Sequence, residues 1–139
     1  MAIKYLLDTN IVSEPVRKSP NTEVVKQLKA EAGGLAIAAT TWHELLFGVL
    51  RMNRSQKRPA LEQYLLSTIQ PEVPVLPYDV DTATWFSQER ARMSREGLSP
   101  SYADGQIAAV AVVNNLILVT RNVADFAHFS DLQVINWFT

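Results

Sequence analysis

Four acids stand where this chain changes from apolar to polar: Asp8 in Leu6-Leu7-Asp8-Thr9-Asn10, Glu44 in Thr41-Trp42-His43-Glu44, Asp104 in Ser101-Tyr102-Ala103-Asp104 and Asp125 in Asn122-Val123-Ala124-Asp125. Each ends an apolar run or opens a predicted helix. In a parallel α/β sheet such points collect along one edge, where ligands bind. Two like charges about 4 Å apart cost about 4 kcal/mol at an effective dielectric near 20. Four carboxylates gathered there would therefore either take up protons or hold a divalent cation. Oxygen-only donors favour Mg²⁺ or Mn²⁺ over zinc.

Taken singly, three of the acids have a plainer explanation. Thr41-x-x-Glu44, Ser101-x-x-Asp104 and Asn122-x-x-Asp125 match or resemble capping boxes. An acid in a first helical turn also complements the helix dipole. Asp8 differs, because it ends a strongly apolar strand. His43 and His128 lack ligand spacing to each other, and a structural or surface role suits both. Trp42, Phe47, Trp85 and Phe86 sit at helical spacing and read as core or interface rather than as base-stacking residues.

The elements that must position the acids follow from periodicity and punctuation. Ile3 to Leu7 reads as a buried strand, and Asn10 would cap a short helix ending near Pro15. Asn21 or Thr22 would cap a helix burying Val24, Val25 and Leu28, stopped at Gly33-Gly34. Leu35 to Ala39 is a second strand. A long helix from about Thr41 carries Trp42, Leu45, Leu46, Val49 and Leu50 on one face. A break near Asn53 to Ser55 separates it from a helix through Leu61, Tyr64, Leu65 and Leu66. Val73 to Leu76 is a third strand, placed at a sheet edge by Pro74 and Pro77. Asp79 or Asp81 starts a helix that Gly97 ends, away from the acidic edge. Ser101 opens another. Leu116 to Val119 and Gln133 to Ile135 complete the strands. Alternating strands and helices predict a parallel sheet covered by helices on both faces. Asp8, Glu44 and Asp125 would then leave the sheet on one edge, with Asp104 brought alongside by the helix before strand four.

The 139 residues fit one domain, 1–139, and the 47% apolar content fits a folded globular protein. The absence of cysteine excludes disulfides, thiolate metal sites and cysteine nucleophiles. The opening apolar run is too short for a signal peptide, and Ile107 to Val119, interrupted by Asn114 and Asn115, falls short of a membrane span. A cytoplasmic protein without membrane contact is expected. The formal net charge of −1 does not itself point to a polyanion partner. Two basic clusters, Arg51, Arg54, Lys57 and Arg58, and Arg90, Arg92 and Arg95, read first as solvated helix faces, and they permit a phosphate-bearing substrate.

On these residues the chain resembles the PIN-domain proteins of the VapC or FitB toxin type. The matching segments are Tyr5-Leu6-Leu7-Asp8-Thr9-Asn10, Glu44 opening the helix after strand two, Ser99-Pro100-Ser101-Tyr102-Ala103-Asp104 followed by Ile107-Ala108-Ala109, and Thr120-Arg121-Asn122-Val123-Ala124-Asp125-Phe126. They occur in the family's order over nearly the whole chain. The resemblance implies a three-layer α/β sandwich with a five-stranded parallel sheet. It implies Mg²⁺- or Mn²⁺-dependent cleavage of RNA, with the acidic quartet on Asp8, Glu44, Asp104 and Asp125. Asn10, Thr120 and Asn122 fall on supporting positions. Asp8 and Asp104 would hold the metal, with Glu44 and Asp125 joining directly or through water. Arg121, Arg51, Arg54 and Arg58 are candidates for contacts to the RNA backbone. Gly105, inside a helix, departs from expectation and would loosen its turn.

The resemblance also implies a homodimer and a small antitoxin whose tail blocks the acidic groove. The helix face from Trp42 to Leu50 would serve either as dimer surface or as core. Two rival readings are kept. In one, the chain acts mainly within an antitoxin–DNA repressor complex, DNA being contacted only through the antitoxin. In the other, a receiver-like α/β domain uses Asp8 as a phosphoacceptor.

Overall fold

Tyr5, Leu6 and Leu7 are all buried and form the middle strand of the sheet, β1 (Tyr5–Leu7). The computed structural model describes residues 2–54 and 57–139. Apolar side chains on both faces suit a strand covered on both sides, and the same holds for β2 (Leu35–Ala38), buried at all its positions. The other strands are β3 (Val75–Leu76), β4 (Ile117–Val119) and β5 (Val134–Ile135). All pair in parallel in the order β3-β2-β1-β4-β5. The register pairs Leu7 with Val119. One residue further along, Asp8 and Thr120 leave the sheet side by side.

Side chains alternate across the sheet and divide the core in two. Tyr5, Leu7, Leu35, Ile37 and Val119 pack on one face with Ile11, Val24, Val49 and Leu65. Leu6, Ala36, Ala38 and Leu118 pack on the other with Phe86, Met93, Ile107 and Ala108. The molecule is the expected α/β sandwich, with a five-stranded parallel sheet between helical layers.

The helices differ from expectation in instructive places. Asp8, not Asn10, caps the short α1 (Thr9–Val12): its carboxylate accepts the Thr9 N–H at 2.9 Å. Asn21 caps α2 (Thr22–Ala30), its Oδ1 accepting from the Glu23 and Val24 amides. Helix α3 (Ala39–Leu50) begins two residues before Thr41, with no side-chain cap. Thr41 is therefore an interior helical residue, fully buried, and no capping box pairs it with Glu44. Leu45 and Val49 are buried as expected, but Leu50 and Phe47 turn outward, at 50% and 58% exposure. Phe47 is not a core residue.

The break after α3 falls at Asn53 and Arg54; Ser55 lies outside the described residues. Helix α4 (Lys57–Gln63) runs on through a π-helical stretch, Tyr64–Ile69, into α5 (Gln70–Glu72). β3 sits at the edge, as its flanking prolines require. Asp79 caps α6 (Val80–Arg95), on the outside of the fold. Ser101 caps α7 (Tyr102–Val113) by accepting the Asp104 N–H at 3.1 Å. A 3-10 turn, Val123–Phe126, follows β4, and Asn122 makes no side-chain cap to it. Among the described residues no helix is long and apolar enough to cross a membrane.

Candidate active site

Asp8 is the best-held acid. It is 8% exposed, and its N–H donates to the Val119 carbonyl at 2.9 Å, so the backbone is still in sheet geometry where the side chain emerges. Oδ1 accepts the Thr9 amide; Oδ2 accepts the Thr120 hydroxyl at 2.8 Å and the Asn10 amide nitrogen at 3.4 Å. Thr120 is fully buried, and its hydroxyl also accepts the Asn122 N–H at 3.0 Å. Asn10 Oδ1 accepts the Arg121 N–H at 3.0 Å. The turn after β1 and the turn after β4 are thus tied together through Asp8. Asn10 and Thr120 both donate to the Asp8 carboxylate. Asn122 contributes through its backbone amide.

Glu44 projects from the second turn of α3 and accepts the Thr9 hydroxyl at 3.4 Å. Thr9 therefore links the two acids, its amide serving Asp8 and its hydroxyl Glu44. The sequence held this signal in Asp8-Thr9-Asn10, but a threonine beside a capping acid is too common to single out. Partial burial of its carboxyl group, then the Asp8 charge, pushes the Glu44 pKa above the usual carboxylate value; Asp104 adds to the rise. Asp104, half-buried in the first turn of α7, is also pushed up, first by burial and then by the charges of Asp8 and Asp125. Thr40 of α3 donates to Gln106 Oε1 of α7 at 2.7 Å and fixes the two helices that carry Glu44 and Asp104. Asp125 is exposed on the 3-10 turn, and its charge reaches the group through Asp104.

Asp8, Glu44 and Asp104 thus form one electrostatically coupled set at the edge where β1 and β2 end, with Asp125 at its margin. Among the described residues none of the four makes an ion pair with a basic side chain. Nor do any three acidic or histidine side chains close into a ready ligand cage. An all-carboxylate set that, among the described residues, has no basic side chain paired to it fits a hard divalent ion.

The basic residues separate into different settings. Arg51 lines the same groove as Glu44, with its guanidinium 5.9 Å from the Phe47 ring. Arg121 follows Thr120 and lies 4.6 Å over the Phe138 ring. Arg54 is exposed. Arg58 is turned back on its own segment, pairing with Glu62 and donating to the Met52 carbonyl at 3.0 Å. Glu14 is buried, and its carboxylate accepts the Asn21 N–H at 2.7 Å.

The PIN domain family matches residues 5–132. Toxin FitB of Neisseria gonorrhoeae is 34% identical over 134 residues, covering 94% of this chain and 96% of that protein. Ribonuclease VapC2 of Haemophilus influenzae is 30% identical over 135 residues, covering 97% and 98% respectively. The solved structure of FitAB bound to an IR36 DNA fragment superposes with a TM-score of 0.86 at 32% identity, covering 97% of this chain and 96% of that one. The chain belongs to the PIN-domain family and, within it, to the VapC and FitB group. That membership displaces the reading of Asp8 as a phosphoacceptor.

Proposed function

We propose that this PIN-domain chain is a Mg²⁺- or Mn²⁺-dependent endoribonuclease, the toxin of a toxin–antitoxin pair, with Asp8, Glu44, Asp104 and Asp125 as its catalytic acids. The observation that carries the reading is the buried, triply hydrogen-bonded Asp8, joined to Glu44 through Thr9, with α3 and α7, the helices that carry Glu44 and Asp104, tied together by Thr40 and Gln106. The names of the relatives, a toxin and a ribonuclease, support the substrate class and the biological setting. The family match over residues 5–132 supports treating 1–139 as one domain.

Asp8 and Asp104 would hold the cation, with Glu44 and Asp125 joining directly or through water. When bound, Mg²⁺ or Mn²⁺ supplies charge neutralisation at a phosphate and lowers the pKa of a coordinated water. Thr9, Asn10 and Thr120 keep the Asp8 carboxylate in one orientation, so no side-chain freedom is lost there when ligand arrives. Arg51, in the groove with Glu44, and Arg121, directly after Thr120, suit backbone phosphates. Hydrolysis adds water across the P–O3′ bond and leaves a 5′-phosphate and a 3′-hydroxyl.

A second observation bears on partners. The similar FitAB structure is bound to DNA. It supports a complex of this chain with an antitoxin on DNA; we add to it that the chain is a homodimer and that the antitoxin supplies the DNA contacts.

The test uses purified chain, cellular RNA and Mg²⁺. Cleavage that chelation stops and Asp8→Asn abolishes, with the fold retained by circular dichroism, is the expected result. Full cleavage by Asp8→Asn would remove the proposal.

A further inference from the structure

The acids at the sheet edge repel a phosphate chain, and the formal net charge of −1 does nothing to offset them. Cations held close to Asp8 must therefore carry the strand. We propose that a groove between the turn after α1 and the last residues of the chain, lined by Arg17, Lys18, Arg121 and Phe138, holds a phosphate of the RNA that flanks the one being cut. The RNA class of this ligand rests on the nuclease reading above.

The groove has a volume of about 440 Å³ and is bounded by Glu14, Arg17, Lys18, Asn21, Arg121 and Phe138. Hydrogen bonds join it to the acids. The Arg121 N–H donates to Asn10 Oδ1, and Asn10 Nδ2 donates to Asp8 Oδ2 at 3.4 Å. Thr120, the residue before Arg121, donates its hydroxyl to the same Asp8 oxygen. Arg121 is thus fixed one hydrogen-bonded neighbour away from Asp8, and the groove opens from there. None of its residues belongs to α3, whose outward face is the candidate dimer surface, so the groove makes no claim on that face.

The three cations are exposed, and among the described residues Lys18 and Arg121 have no carboxylate partner. The Arg121 guanidinium lies 4.6 Å over the Phe138 ring. Stacking holds the plane of the fork and leaves its N–H edge for an oxygen acceptor. Glu14 is the one acid at the groove, and it lies beneath rather than in it, at 4% exposure. Its Oε2 accepts the Asn21 N–H, while Oε1 is buried without a hydrogen-bond partner. The Arg17 guanidinium stands 3.7 Å from Oε1, an ion pair too long for a hydrogen bond. Glu14 therefore keeps Arg17 at the rim by charge and leaves its donors for a phosphate. The cations outnumber this acid three to one, so the groove stays positive. An acidic peptide would meet the same cations. A strand is favoured because the reaction itself brings a phosphate to Asp8, and its neighbours along the backbone must lie nearby.

The experiment measures binding of the intact chain to a fluorescein-labelled single-stranded oligouridylate by anisotropy, in Ca²⁺, with strand integrity checked on gels. Arg17→Gln, Lys18→Gln and Arg121→Gln should each weaken binding about fivefold at about 0.1 M salt, and each should flatten the slope of log affinity against log salt by about 0.7. Lys26→Gln, at an exposed lysine of α2 outside the groove, should leave the slope as it is. Groove variants that bind as wild type overturn the proposal, as does a wild-type chain with no affinity for the strand. An equal loss in Lys26→Gln also overturns it, because the attraction would then belong to total charge. Polyglutamate that displaces the strand as well as unlabelled oligouridylate of equal charge would assign the groove to an acidic peptide instead. A change of oligomeric state by light scattering, with strand affinity unaltered, would make it a contact between copies. Mg²⁺-dependent cleavage, run in parallel, separates the two readings. A chain that cuts RNA yet ignores the glutamine changes loses only the groove; a chain that cuts nothing yet shows the flattened slopes loses only the nuclease.

Discussion

Gly105 of α7 rests against the ring of Phe86 of α6, and a Cβ at that position would overlap the ring. The glycine that looks like a weak point in a helix is what allows two helices to close over the sheet beside Asp104. Gly105→Ala should destabilise the chain by about 1–3 kcal/mol through overpacking, although alanine favours an isolated helix by about 1 kcal/mol. Urea unfolding reads the difference; a midpoint at or above wild type would show that Phe86 yields without cost.

Thr120→Val keeps the volume and removes the hydroxyl that donates to Asp8 and accepts from Asn122. The buried Asp8 carboxylate then keeps only the longer Asn10 contact on Oδ2, at about 1–3 kcal/mol if unrelieved, and the Asn122 N–H loses its partner. Thermal unfolding should fall for valine and recover for Thr120→Ser, and RNA cleavage should follow the same order. Equal melting of the valine and serine variants would count against the hydroxyl.

Glu44 and Asp104 are both raised in pKa by burial and by like charge. The folded chain then holds its protons more tightly than the unfolded one. Their penalty is full above the raised values and is relieved as pH falls through them, so this part of the stability grows on acidification. Glu44→Gln should therefore melt no lower than wild type without metal, while losing cleavage. Mg²⁺ at a hundred times its Kd should add about 2.7 kcal/mol, and that gain should shrink at acid pH as protons compete. Scanning calorimetry at neutral and acid pH, with and without Mg²⁺, checks both signs.

Glu89 shows the opposite sign. It is 7% exposed, takes two hydrogen bonds from Arg92 at 3.0 Å and one from the Ser130 amide at 2.6 Å. The Arg92 guanidinium first, then the Ser130 amide, holds its carboxyl below the ordinary 4.5. Its contribution is present above the unfolded value and is lost as pH falls through the folded one. Glu89→Gln should lower stability by about 1–3 kcal/mol at neutral pH and by less in acid. A pH-independent loss would contradict the ionic origin.

Much of this was legible in the residues. The apolar runs around Leu6, Ile37 and Leu118 marked buried parallel strands, and Pro74 and Pro77 correctly put β3 at an edge. Asp8 stands out in the sequence because it ends a strongly apolar strand, and that strand is buried. Helix α3 hid its start because Ala39 and Thr40 carry no cap, leaving Thr41 as a false one. Phe47 is exposed, which removes core and leaves interface of its two readings: helical spacing tells which residues share a face, not whether that face is covered. Gly105 was misread because its use depends on Phe86, distant in sequence. The Arg58–Glu62 pair, one helical turn apart, could have been anticipated and removes Arg58 from the free cations near the acids.

The most direct measurement is anomalous scattering from crystals soaked in Mn²⁺. The account predicts an anomalous peak in contact with the carboxylates of Asp8 and Asp104, close to Glu44, and no such peak in Asp8→Asn. Manganese bound elsewhere, with these acids unchanged in position and unliganded, would contradict it.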